Sequence, residues 1–151
     1  LGTGVIALCA LTILAGGLVA GTRAGFVFNT FPLMMGRLIP EGMYSGRPLY
    51  QSLFQNILTI QFNHRVLATT LFIGALTLWW RASRRDVSPD VAMATRWICI
   101  GVAVQITLGI TTLLQVVPIP LGVAHQGWGL VVLCLAVTAR HRMRREPHAV
   151  A

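Results

Sequence analysis

Lysine is absent from this chain of 151 residues and acids are scarce: twelve arginines face only Glu41, Asp86, Asp90 and Glu146, for a net charge of +8. A nucleic-acid site gathers its basic residues on one water-facing surface. Here the arginines punctuate long apolar runs instead, so the imbalance reads as membrane topology and nucleic acid is excluded as a partner. Cysteine is nearly missing as well. Cys9, Cys99 and Cys134 each fall inside an apolar segment and no CxxC or CxxCH occurs, which removes thiolate metal clusters and covalent heme attachment and leaves three small buried hydrophobes. The basic start and small-residue cleavage site of a signal peptide are also lacking. The chain begins at Leu1 without Met, already apolar, and reads as a fragment.

What is present is hydrocarbon. Apolar residues make up 55% of the chain and charged ones 11%, more apolar surface than a soluble domain of this size hides in one core. The expected fold is all-α, an integral membrane four-helix bundle whose solvent is lipid. Residues 1–22 carry no charge and are long enough to cross the hydrocarbon layer; Gly16, Gly17 and Gly21 let a neighbouring helix approach closely. Residues 23–50, with Arg23, Arg37, Glu41, Arg47, Pro32, Pro40 and Pro48, form a polar connection. Its FVFNTFPLMM stretch is apolar enough to lie at the interface as a short lid. The second span, 49–80, holds only His64 and Arg65 as charge-capable residues and ends on Trp79, Trp80 and Arg81, the mark of a headgroup boundary. Nothing is formally charged between Arg96 and Arg140, but VVPIP at 116–120 interrupts the run because proline donates no helical hydrogen bond. Spans three and four are therefore expected at 97–117 and 121–139, as a helical hairpin.

The arginine-rich loop at 81–96 and the tail after 139 are separated by two spans and so share a face. By the positive-inside rule that face, with the C-terminus, is cytoplasmic in a bacterial inner membrane, or faces the matrix in a mitochondrial inner membrane. The 23–50 connection and the proline turn are then outside. Depth can be counted back from the inner arginines: His64 lies 17 residues before Arg81 and His125 lies 15 before Arg140, roughly 25 and 22 Å along a helix. Two imidazoles on different, parallel spans thus share one depth near the outer surface. An ionisable residue inside a span is a functional-site hypothesis by default, and imidazole suits iron, copper and zinc. Zinc would want further ligands, and the outer half of the spans offers no Cys, Asp or Glu, whereas a bis-histidine heme needs only His64 and His125. Gln61, one turn before His64, shares its face. Arg65 and the outer-loop arginines are candidates to pair with heme propionates. Gly122, Gly127 and Gly129 leave room beside His125 for a flat macrocycle, and Phe54, Phe62 and Trp128 are candidates to wall it. A weak internal repeat, in which a span and an outer connection lead into a span opening with His, relates the two histidines by a pseudo-two-fold axis along the membrane normal.

The stretches GGLVAGTRAGFVFNTFPLMMGRLIP at 16–40, QFNHR at 61–65 and QITLGITTLLQVVPIPLGVAHQ at 105–126 resemble, in order and over nearly the whole chain, the C-terminal half of the heme A synthase family. The resemblance implies an eight-span inner-membrane protein of two similar four-helix halves that oxidises a methyl of heme O to a formyl, making heme A for cytochrome oxidase assembly. It implies substrate heme O in the N-terminal half and a heme b cofactor, bis-histidine through His64 and His125, in this half. Heme O synthase and an electron donor are the implied partners. The N-terminal half carries a motif of the ExxHR type where this chain has Gln61, which cannot ionise and so cannot act as a carboxylate base. The catalytic residues are therefore expected outside this chain, and the fragment alone is expected to bind heme without turnover. Cysteine pairs found in the outer loops of some members have no counterpart in 23–50. Two readings compete: a bis-histidine membrane cytochrome b subunit for electron transfer, with no oxygenation chemistry, and a non-heme membrane protein whose histidines pack or relay protons.

Overall fold

The computed structural model describes residues 1–44 and 48–145; Arg47 of the expected outer arginine set and His148 of the tail lie outside the described residues. The described residues form six helices in order: α1 (Gly2–Gly21), α2 (Ala24–Val27), α3 (Leu49–Gln55), α4 (Ile57–Ser83), α5 (Pro89–Leu114) and α6 (Ile119–Arg145). The four long ones are apolar enough to cross a membrane, and the expected all-α four-helix membrane bundle is what the chain forms. Around the bundle α1 packs on α4, α4 on α5, α5 on α6 and α6 on α1. This leaves α4 and α6 on a diagonal.

The helix limits differ from the apolar runs, for local reasons. The second run is broken at Asn56, which takes an extended backbone and caps α4, its side chain accepting from the amides of Leu58 and Thr59. The third span, α5, begins eight residues before the apolar segment, at Pro89. Ser88 caps it by accepting from Val91 N–H, proline occupies its first position and Asp90 lies in its first turn. The last helix runs on past the apolar run to Arg145, with Arg142, Arg144 and Arg145 at its C-terminus, where cations complement the dipole. In the last two cases the helix runs on beyond the apolar segment, and hydropathy marks only part of its length.

The hairpin between α5 and α6 stops before its prolines. Val116 N–H donates to Leu113 O and Val117 N–H to Thr112 O, the paired bonds that close a helix through a left-handed residue. Both valines have φ near +57° (59° and 56°), a region where a β-branched residue is strained by roughly 1–2 kcal/mol. Val117 Cγ2 comes within 2.9 Å of where a Cβ on Gly25 would stand, so this turn packs against α2 and needs a glycine there.

The dry core occupies the arginine-rich end of the bundle. Val5 and Cys9 of α1, Leu71, Ala75 and Leu78 of α4, Ile98 and Val102 of α5, and Val132, Ala136 and Ala139 of α6 form one buried cluster. Lipid-facing positions such as Leu14, Ile73, Val123 and Ile119 are exposed in the isolated chain, as expected where the surrounding solvent is hydrocarbon. Beyond Leu71, Val102 and Val132, toward the other end, polar residues join the buried set: Thr12, Ser52, Thr59, Gln61 and Thr112 lie buried alongside Ala24, Met34, Leu58 and Ile60.

Candidate functional site

His64 is the eighth residue of α4 and His125 the seventh of α6, so the diagonal pair carries one imidazole each at the same end, just beyond the apolar core. Each ring leans on a glycine of a neighbouring helix. A Cβ on Gly16 of α1 would meet His64 Cε1 at 3.1 Å and Nδ1 at 3.6 Å; a Cβ on Gly109 of α5 would meet His125 Cε1 at 2.8 Å and Nδ1 at 3.3 Å. Only glycine admits the second ring at that distance. Nδ1 of both histidines is buried without a hydrogen bond, and the polar group beside each ring is backbone, that of Thr12 for His64 and that of Gln105 for His125. A buried unpaired imidazole nitrogen costs free energy unless a ligand or a neighbour satisfies it. Each ring, lying over a glycine of a neighbouring helix, is a nitrogen donor of a type that suits iron, copper or zinc. No cluster of three or more His, Cys, Asp or Glu able to hold a metal ion occurs among the described residues, so the donor set present is these two imidazoles.

Gln61 and Arg65 flank His64 but are committed elsewhere. Gln61 Nε2 donates to Phe28 O at 2.9 Å, while Arg65 Nη2 donates to Thr30 O at 2.8 Å and to Phe28 O at 3.3 Å, and Nη1 to Pro32 O at 3.3 Å. The Arg65 guanidinium also lies over the Phe31 ring. Two further bonds tie the connection to the same helix end: Tyr44 O–H donates to Asn63 Oδ1 at 2.7 Å and Asn56 Nδ2 to Gly42 O at 3.4 Å. The residues after α2 thus form a lid strapped onto α4. Its apolar side chains Phe31, Leu33, Met35, Leu38 and Ile39 are exposed, while Arg37 pairs with Glu41. Arg65, expected as a propionate partner, has its Nη atoms on lid carbonyls, and only its buried Nε is without a partner.

The residues proposed to wall a macrocycle divide. Gly122 and Gly127 face open space, but a Cβ on Gly129 would stand 3.3 Å from Gln105 Nε2. Gly129 is therefore filled by the Gln105 side chain, whose Nε2 donates to His125 O at 3.0 Å. Trp128 Nε1 donates to Gly101 O at 2.9 Å and the ring packs on the apolar core; Phe54, on α3, is exposed. Sequence reasoning gave Gly109, Thr12 and Gln105 no role and saw Gly16 only as a packing residue. The signal was a spacing: Thr12 and Gly16, like Gln105 and Gly109, are four residues apart on helices preceding a histidine-bearing one.

Residues 1–137 match the family COX15-CtaA, described as a cytochrome oxidase assembly protein. The chain is 43% identical over 140 residues to a heme A synthase of Nitrosospira multiformis, covering 93% of this chain and 39% of that protein. It is 39% identical over 141 residues to a heme A synthase of Parvibaculum lavamentivorans, covering 93% and 40%. Against heme A synthase COX15 of Arabidopsis thaliana it is 42% identical over 135 residues, covering 89% and 30%. The chain thus spans about two fifths or less of the length of these relatives. No solved structure matches it.

Proposed function

The chain belongs to the COX15-CtaA family of cytochrome oxidase assembly proteins, and we propose that it is the cofactor-holding, C-terminal half of a heme A synthase, with heme b held between His64 and His125. The observation that carries this reading is the diagonal pair of imidazoles, both at the same end of the bundle, each set against a helix-facing glycine with Nδ1 buried and unpaired. A bound heme supplies a redox-active iron. The chain's own contribution is to hold the two ligands on different helices, keep the apolar core between them and the arginine-rich end, and cover the other end with the strapped lid.

In this reading the complete protein oxidises a methyl of heme O to the formyl of heme A, using an electron donor and heme O delivered by a heme O synthase. Gln61 argues that the acid–base work belongs to the other half: an amide neither ionises nor relays a proton as a carboxylate does, and here its Nε2 holds the lid. The arginines at the ends of α4 and α6 favour a bacterial inner membrane, or a mitochondrial one, with the C-terminus on the cytoplasmic or matrix side. The test is spectroscopic. The protein purifies with a low-spin bis-histidine heme b spectrum that is lost in His64→Ala and in His125→Ala; a well-folded protein free of heme would refute the proposal.

A further inference from the structure

In an α-helix a side chain leans toward the N-terminus and covers the turn before its own Cα. A glycine therefore leaves bare the carbonyl four residues earlier. Three glycines of this bundle lie where a neighbouring helix uses that gap. Gly129 stands four residues after His125, and Gln105 Nε2 passes over it to reach His125 O at 3.0 Å. Gly109 stands four after Gln105, and the His125 ring lies over it beside the Gln105 backbone. Gly16 stands four after Thr12, and the His64 ring lies over it beside the Thr12 backbone. The first case ends in a formed hydrogen bond, and the other two end in a buried, unpaired Nδ1.

We propose that Gly16 and Gly109 are positioning residues for the two imidazoles: each keeps the backbone carbonyl of Thr12 or Gln105 accessible, so that Nδ1–H of the facing histidine donates to it and Nε2 is left as the ligating nitrogen. An imidazole that ligates a metal through one nitrogen is oriented by what its other N–H meets, and such partners tune both affinity and electronics. The inference rests on the heme reading of the site and adds the source of ligand orientation. It also ranks the two sides. Cβ clearance is 2.8 Å at Gly109 and 3.1 Å at Gly16, so an added methyl displaces His125 further than His64.

The experiment uses the full-length protein purified with its heme, as Gly109→Ala, Gly16→Ala and the open-space controls Gly17→Ala and Gly4→Ala. Heme affinity and the ferric electron paramagnetic resonance spectrum are the readouts, with the signal of this half identified by its loss in His125→Ala. Gly109→Ala is expected to lose heme affinity about tenfold or more and to shift the low-spin g values. Gly16→Ala shifts them less, and both controls overlay the parent. Parental spectra and affinity in both Gly109→Ala and Gly16→Ala would overturn the proposal while leaving the heme reading intact, whereas a folded parent without heme overturns both. If Gly109→Ala does not fold, proton NMR of the parent decides: Nδ1–H resonances of both ligands slow to exchange in deuterated buffer support the proposal, and rapid exchange overturns it.

Discussion

The helix pairs α1/α4 and α5/α6 present their histidines in the same way and are braced in opposite ways. In α5/α6 the bracing runs helix to helix: Gln105 Nε2 to His125 O and Trp128 Nε1 to Gly101 O, both from side chain to backbone across the pair. Among the described residues, no such side-chain bond crosses α1/α4 beside the histidine. Thr12, at the position of Gln105, turns its hydroxyl back to Leu8 O on its own helix, and α4 spends Gln61, Asn63 and Arg65 on the connection that follows α1. The helix around His125 is therefore braced by its partner helix, and the helix around His64 by the lid. The difference teaches that a repeat visible as two similar spans need not repeat its mechanics, because a short hairpin leaves nothing to strap whereas a long connection does.

The largest effect expected from breaking this contrast comes from Arg65→Ala. It removes the donors to Phe28, Thr30 and Pro32 carbonyls at once, and charged hydrogen bonds are worth about 1.5–3 kcal/mol, so we expect the lid to lose about 2–3 kcal/mol of local stability. Faster hydrogen exchange and proteolysis confined to residues 28–39, with α5 and α6 unchanged, is the measured outcome. Lysine does not restore the lid, since a single ammonium lacks the planar fork that spans several acceptors. A change spread evenly over both pairs would show that the bracing is shared.

Gln105→Leu breaks the other side more gently. The His125 carbonyl lies within α6 and keeps its helical partner, and the buried Oε1 of Gln105, which has no hydrogen bond, is removed with the donor. The expected loss is about 1 kcal/mol, seen as faster exchange along α5 and the first turns of α6. The backbone of Gln105 stays beside the His125 ring, so the low-spin heme signal is retained. Loss of that signal here would mean that the side chain, not the carbonyl, orients the ligand.

Much of this architecture was legible in the sequence and some was not, and the division is physical. Four spans follow from hydropathy and from Trp79, Trp80 and the arginines, because lipid imposes length and composition. The placement of His64 and His125 near one end follows from counting residues along helices. The break at Asn56 falls inside an apolar run and the start at Pro89 before one; in both places a cap decides, and hydropathy carries no signal for a cap. The glycine notches were invisible for a different cause. A membrane helix is apolar toward lipid and toward its neighbours alike, so its sequence does not tell which face meets which helix, and Gly16 and Gly17 read identically although one lies under His64 and the other in open space. Arg65 was legible as important; that its donors serve the lid required the backbone path of residues 28–32.

The smallest expected effect tests whether the α5/α6 brace is one unit or two separate bonds. Trp128→Phe keeps an aromatic ring against the apolar core and deletes only the Nε1 donor to Gly101 O. The Gly101 carbonyl remains in the α5 ladder and is not orphaned, and polar bonds between membrane helices average about 0.6 kcal/mol because the unfolded chain in the membrane finds partners too. We therefore expect a loss of about 0.5–1 kcal/mol in reversible unfolding in detergent. Combined with Gln105→Leu, the loss should be additive if the two bonds are independent. They lie one turn apart, from Gly101 to Gln105 on α5 and from His125 to Trp128 on α6, close enough to couple. A double variant that loses less than the sum of the single losses would show that the first cut already releases the pair, making the interlock around His125 one cooperative element, which the lid-braced His64 side has no means to match.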